Sequence, residues 1–412
     1  MLLKIFFSHR SLKHMLKNIN RRNLSFRKGS MTHTEHKQPH VLFLFSDTGG
    51  GHRSAAEAII EAINLDFPDR ISTEMVDFFK EYAPPPFDLA PELYPPMAKV
   101  PDMWKFGYKL SDGQRRTHIF YNMMWPYIRR AAFKLLNEHP YDLLVMVHPI
   151  PVVPISRAMR PGSPPFITVV TDMVSTHALW FNRRSDLVLV PTEIARQNGL
   201  AYGLRPDQIL VVGLPVAQRF CLPVGDRRPI RTRLGWPQDL PVILLIGGGD
   251  GMGPLTKVAR AISDAHLNTA LVVVTGRNHK LKAQLEAEEW SMPTFIYGFV
   301  REMPDFMRCA DILLTKAGPG TISEAFISGL PMILYSRMPG QEDGNVSYVV
   351  TEGAGVWAPE PTHIVEVLCN WLDHPAEREK VAVNCRRLAK PDASHLVARA
   401  IADQLGVTER II

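Results

Sequence analysis

Short apolar runs alternate with amphipathic segments along most of the chain. "HVLFLFSD" (40–47) is apolar almost throughout, as a strand covered on both faces must be. "HRSAAEAIIEAINLDF" (52–67) follows, with Ala55, Ala56, Ile59, Ile60 and Ile63 at helical spacing. The same alternation predicts strands at 72–78, 141–149, 165–173, 187–193 and 208–216, and a helix over 119–139 interrupted near Pro126. A second series predicts strands at 241–249, 269–276, 294–300, 310–317 and 330–336. Helices fall between them at about 252–266, 278–289, 303–308 and 320–328. Strand–helix–strand units in two series imply an α/β protein with two parallel sheets. In such sheets ligands bind beyond the carboxyl ends of the strands, so the expected site is the cleft between the two domains.

Two stretches break the alternation. "FCLPVGDRRPIRTRLGWPQDL" (220–240) is dominated by proline, arginine and polar residues and reads as the interdomain linker. The expected layout is a basic leader (1–39), a first domain (40–222), a second domain (223–390) and a terminal segment (391–412). The helix at 393–405 in that last segment either closes the second domain or crosses back onto the first. The other break, 80–110, holds seven prolines and several aromatics. Those exclude one continuous helix and imply a packed or lipid-facing surface.

Composition narrows the class. The 412 residues fit two or three domains, and 46% apolar with 21% charged content is that of a globular protein. Net charge is +6, but residues 1–30 carry Lys4, Arg10, Lys13, Lys17, Arg21, Arg22, Arg27 and Lys28 without an acid. The remainder is near neutral, which argues against nucleic acid as partner and allows anionic lipid or nucleotide phosphate. The leader reads as a transit peptide, as a membrane-lying arm, or as residues preceding a natural start at Met31. Cys221, Cys309, Cys369 and Cys385 lack metal-ligand spacing and read as packed thiols. No run reaches the ~20 apolar residues of a membrane-spanning helix.

Three glycine turns carry the candidate chemistry. In "FSDTGGGHRSAAEAI" (45–59) a strand ends, the backbone bends at Gly50 and Gly51, and a helix begins near His52. The helix N-terminus disfavours imidazolium, so a neutral His52 there can accept a proton; the competing reading is a histidine that only bonds the turn. "LIGGGDGMGP" (245–254) repeats the arrangement. Gly248, Gly249 and Gly251 read as a phosphate cradle at a helix start, or as a tight βα turn without a ligand. In "TKAGPGTISEAFISGLPMILYSRMPGQEDGNVSYV" (315–349), Gly320 and Thr321 open a helix with Glu324 one turn inside. That carboxylate can accept two sugar hydroxyls. Gln341, Glu342 and Asn345 follow the next strand and suit sugar recognition. "TDMVSTHALWF" (171–181) brings Asp172, a candidate base or orienter of His52, and Trp180, either core or a ligand contact. The chain has no Asp-x-Asp pair, so helix ends rather than a bridging metal would face a diphosphate.

The segments "SDTGGGHRSAAEAI", "TDMVSTHALWF" and "TKAGPGTISEAFISGLPMILYSRMPGQEDGNVSYVV" closely resemble the monogalactosyldiacylglycerol synthases of glycosyltransferase family 28 over residues 40–390. The resemblance implies a GT-B fold, two Rossmann-like parallel-sheet domains facing across a cleft, with acceptor in the first and UDP-sugar in the second. It implies inverting transfer of galactose from UDP-galactose to diacylglycerol, giving a β-galactolipid, with no cofactor or metal and with anionic lipid as an activator. By motif, His52 matches the base or anionic-lipid contact, within a lipid site that includes Gly50, Gly51 and Trp180. Asp172 matches a second candidate base. On the donor side Gly320 and Thr321 match diphosphate contacts, Glu324 the ribose carboxylate, and Gln341 and Glu342 sugar contacts. Phe299 and Val300 in "YGFV" match the strip over the uracil. The family's "HPTWF" is "HALWF" here, which puts that loop's shape in question. UDP-glucose as donor is the near alternative, and a UDP-sugar 2-epimerase is the alternative of another class. The aromatic 81–108 region argues against the epimerase and for docking on an anionic membrane through Trp104 and Tyr108. A peripheral protein of a plastid envelope or of a bacterial cytoplasmic membrane fits equally, and oligomer formation stays open.

Overall fold

The computed structural model describes residues 38–47, 50–85, 87–89, 92, 101–223 and 225–407. The basic leader, Thr48 and Gly49 of the first glycine turn, and the Trp104 side chain lie outside the described residues.

The described residues form two six-stranded parallel sheets. The first comprises β1 (His40–Phe45), β2 (Ser72–Asp77), β3 (Leu143–Met146), β4 (Phe166–Val169), β5 (Leu187–Val190) and β6 (Ile209–Val211), in the order β2-β1-β3-β4-β5-β6. The second comprises β7 (Val242–Ile246), β8 (Ala270–Val274), β9 (Thr294–Tyr297), β10 (Ile312–Lys316), β11 (Met332–Ser336) and β12 (Gly355–Trp357), in the order β12-β11-β10-β7-β8-β9. Helices cover both faces of each sheet, which is why Val41–Leu44 and Val242–Leu245 are wholly buried whichever way they point. β12 was not legible: three residues pairing only with β11 at the sheet edge carry too little pattern.

The linker and the helix around Pro126 differ from expectation, and the terminal helix takes the second of its two expected positions. Residues 220–240 are not a free connector. The helix Arg228–Leu234 buries Arg231, whose guanidinium donates to Cys309 O and to Asp311 Oδ2 at 2.8 Å. The helix Gln114–Glu138 runs unbroken through Pro126. The last helix, Ala393–Leu405, packs on Gly51–Asp66 and inserts Val397, Ala398 and Ile401 into the first core. Its His395 holds Asp66 at 2.9 Å, and its Ser394 donates to Val216 O at 2.8 Å. All four cysteines are free thiols.

Candidate active site

Each sheet changes direction once. In the first, β1 is flanked by β2 on one side and β3 on the other, so the crevice opens at the ends of β1 and β3. Gly50 sits there at φ 77°, a left-handed conformation that a side chain would strain. The helix Gly51–Asp66 therefore starts with His52 as its second residue. His52 Nδ1 lies 3.0 Å from Val147 O, just past β3, and 2.8 Å from Thr171 Oγ1. A carbonyl only accepts, so Nδ1 carries the proton and Nε2 the lone pair. Nε2 has no hydrogen bond among the described residues. Burial pushes the His52 pKa down to about 4, leaving the ring neutral. The His148 ring stands edge-on at 4.4 Å and is held neutral by burial and by His52.

Asp172, just past β4, is buried, and desolvation raises its pKa to about 6. Both oxygens are engaged. Trp180 Nε1 donates to Oδ2 at 2.7 Å, and Gln341 Nε2, from the second domain, donates to Oδ1 at 3.2 Å. Asp172 thus does not orient His52; the Val147 carbonyl does. Trp180 is fully buried among Val170, Phe181, Val188 and Ile209, where a core residue stands, with its ring centroid 6.0 Å from that of His52. Tyr108 is half-buried, donates to Ser175 O at 2.9 Å, and packs its ring against His177. Gly344 N in turn donates to Ser175 Oγ at 3.0 Å, so Tyr108 holds the segment that, with the Gln341–Asp172 bond, joins the domains.

The second sheet reverses between β7 and β10. The turn after β7 bonds mainly to itself: Met252 N donates to Gly247 O at 2.8 Å and Gly251 N to Gly248 O at 3.2 Å. Gly248 and Gly251 have φ 72° and 60°, and a Cβ on Gly251 would strike Thr275 O. Turn geometry requires glycine at these two positions, whereas a Cβ on Gly249 would meet only the Arg277 guanidinium at ordinary contact distance. The following helix begins only at Leu255, so no helix terminus points from this turn. The turn after β10 is different. Gly318 caps the helix Pro319–Ser328, leaving the Gly320 and Thr321 N–H groups in its first turn. Glu324 on that helix has its pKa raised to about 7 by burial, against the lowering effect of Arg219, and makes no hydrogen bond among the described residues. Glu342, expected to read the sugar, is instead tied at both oxygens: Lys316 Nζ at 2.6 Å and Met338 N at 2.7 Å. Asn345 is buried, donates to Ala317 O at 2.9 Å, and keeps an unpartnered Oδ1. Phe299, beyond β9, is 62% exposed, and Val300 packs on the second core.

An apolar cavity of about 240 Å³ opens beside His52, lined among others by Phe79, Phe120, Tyr121, Met124, Ile150 and Leu179. Phe79 contacts His148, which contacts His52, so one ring separates the cavity wall from the imidazole. No local pattern announces this cavity, because its walls come from four separate segments. Among the described residues no cluster of His, Cys, Asp or Glu is arranged to hold a metal, and no helix is long and apolar enough to cross a membrane.

Two doubly wound sheets meeting at their strand ends make up a GT-B fold. The fold is shared with MurG of Acinetobacter baumannii (TM-score 0.55, 16% identity, covering 88% of this chain and 99% of that one). It is also shared with the UDP-GlcNAc 2-epimerase of Neisseria meningitidis (TM-score 0.54, 14% identity, 90% and 100%). Fold alone therefore does not separate transfer from epimerisation; sequence does. Residues 52–216 match the family described as monogalactosyldiacylglycerol (MGDG) synthase, and 242–395 match the glycosyltransferase family 28 C-terminal domain. The chain is 38% identical to monogalactosyldiacylglycerol synthase 1, chloroplastic, of Arabidopsis thaliana, covering 86% of this chain and 68% of that protein. It is 36% identical to the Spinacia oleracea synthase, covering 86% and 70%. The protein belongs to the monogalactosyldiacylglycerol synthase family and is a glycosyltransferase.

Proposed function

We propose that this galactolipid-forming enzyme moves galactose from UDP-galactose to the free hydroxyl of 1,2-diacylglycerol with inversion, giving a β-galactolipid, at the surface of a plastid envelope. The chloroplastic MGDG synthases among its relatives support the substrate class and the location. The observation that carries the reading is the neutral His52, its tautomer fixed by Val147 O, one ring away from an apolar cavity. Acyl chains enter that cavity and the glycerol hydroxyl meets Nε2. As its oxygen bonds the anomeric carbon, the bond to the diphosphate breaks and the proton passes to Nε2. Gly320 and Thr321 N–H groups stabilise the leaving charge, Glu324 takes the ribose hydroxyls, and Phe299 and Val300 flank the uracil.

Asp172 as base is the second reading, favoured by its pKa near 6. The two readings differ in the acid limb of kcat/KM. Protonation removes either base. A limb with apparent pKa near 4 is expected for His52, whereas one near 6 would assign the role to Asp172.

Membrane docking is carried by a face that extends beyond the stretch read in the sequence. Ile119, Met123 and Tyr127 recur on one side of Gln114–Glu138, are 66%, 70% and 46% exposed, and stand beside exposed Phe106, Leu110 and the cavity residue Phe120. Arg115, Arg116, Arg129 and Arg130 are exposed on the same helix. Replacing Ile119 and Met123 with Ser is expected to lower cosedimentation with anionic vesicles roughly tenfold or more. Replacing Tyr108 is expected to disturb the domain contact instead.

The functional assay supplies dioleoylglycerol in anionic vesicles with UDP-galactose or UDP-glucose, EDTA present, and reads product mass and the anomeric proton by NMR. A β-galactolipid from UDP-galactose alone is expected. A glucolipid changes the donor, and epimerised UDP-sugar without glycolipid overturns the reading.

A further inference from the structure

We propose that Lys316 is the group that takes the donor's diphosphate, and that its departure from Glu342 frees that carboxylate for the sugar. The inference rests on the donor reading above and adds to it a residue and a coupling.

Lys316 ends β10, the strand at the reversal point of the second sheet, where β7 is its neighbour. Its stem passes between the two glycine turns. A Cβ on Gly248 would lie 3.3 Å from Lys316 Cε, and one on Gly318 3.2 Å from Nζ. Both separations are tighter than ordinary contact, so the missing side chains on both turns leave the passage the lysine occupies. The ammonium therefore stands at the carboxyl ends of β7 and β10, three residues before the helix whose Gly320 and Thr321 N–H groups open the same crevice.

Its partner is the buried Glu342, at 2.6 Å. A lysine is a compact charge on a flexible stem and can exchange partners by rotating, which an arginine fork does less readily. A diphosphate offers it more negative charge than one carboxylate does. Once Lys316 turns to the phosphates, Glu342 keeps the Met338 N–H on Oε2 and has Oε1 open to accept hydroxyls. Diphosphate and sugar are then recognised in one step. Sugar recognition is withheld from ligands that bring no diphosphate, because they leave the ion pair intact. Gln341, next in sequence, donates to Asp172 in the other domain, so the residue beside Glu342 already touches the acceptor side.

The test compares UDP with uridine, by calorimetry, on the full chain and on Lys316→Met and Glu342→Gln. Lys316→Met is expected to weaken UDP about ten- to hundredfold while uridine stays within about twofold. Glu342→Gln is expected to bind UDP at least as tightly as the natural chain, since the competing carboxylate is gone, while its transfer rate falls. Equal UDP affinity in Lys316→Met and the natural chain overturns the proposal. So does equal loss of UDP and uridine, which would mean that the lysine only holds the loop. A natural chain that binds neither ligand overturns the donor reading and the lysine assignment with it.

Discussion

His52→Ala is expected to lower hexose transfer by about 10²–10⁴-fold while leaving UDP affinity unchanged. The separation follows from geometry. His52 belongs to the first sheet's crevice and touches Val147, Thr171 and His148, whereas the proposed nucleotide contacts all lie on the second sheet. The imidazole is also not a structural pillar. Its helix is anchored by Ala55, Ile59, Ala62 and Ile63 in the core, and removing the ring leaves those contacts in place. A single-turnover assay at saturating UDP-galactose, with calorimetric UDP binding in parallel, measures both quantities. Transfer within a few-fold of the natural chain would move the base to Asp172.

The second large effect falls on Trp180. Trp180→Ala is expected to destabilise the protein by about 3–5 kcal/mol, because it empties the largest wholly buried side chain of the first domain. Trp180→Phe keeps most of the volume and removes only the N–H that Asp172 Oδ2 accepts. That donor lowers the Asp172 pKa, so its loss raises it further above about 6. The sign for stability follows. The carboxyl pKa is raised on folding from 3.8, so its stabilising contribution is full below that value and is lost as pH rises through about 6. In Trp180→Phe the window of loss moves to higher pH, and in Asp172→Asn this part of the pH dependence disappears. Thermal melts between pH 4 and 8 compare the three proteins. A Trp180→Phe profile that overlays the natural one would mean that the indole N–H does not govern Asp172.

The six strands of the first sheet and five of the second were legible because buried parallel strands are continuous apolar runs, and that pattern survives without an alignment. The order of the strands was not, since it depends on which crossover packs where. The order is what turns two glycine motifs into two crevices. The turn at 247–253 shows the same limit. Its glycines read as a phosphate cradle or as a tight turn, and the positive φ angles of Gly248 and Gly251 are what the turn requires, a demand that motif spacing alone does not reveal. Lys316 lacked any local signal, being one lysine at a strand end, and became visible only when Gly248, Gly318 and Glu342 closed around it.

By itself the sequence determined the α/β class, the two-sheet architecture, the family and the residue types at the crevice, because periodicity and short motifs are properties of neighbours along the chain. Tertiary structure alone decided that Trp180 is core and holds Asp172, that Glu342 is locked by Lys316, and that the terminal helix crosses back to the first domain. It also decided that an apolar cavity opens one ring from His52. Each of these rests on contacts between residues far apart in the chain. Burial, and with it the protonation state of a histidine or a carboxylate, is set by what folds over a residue and not by what precedes it.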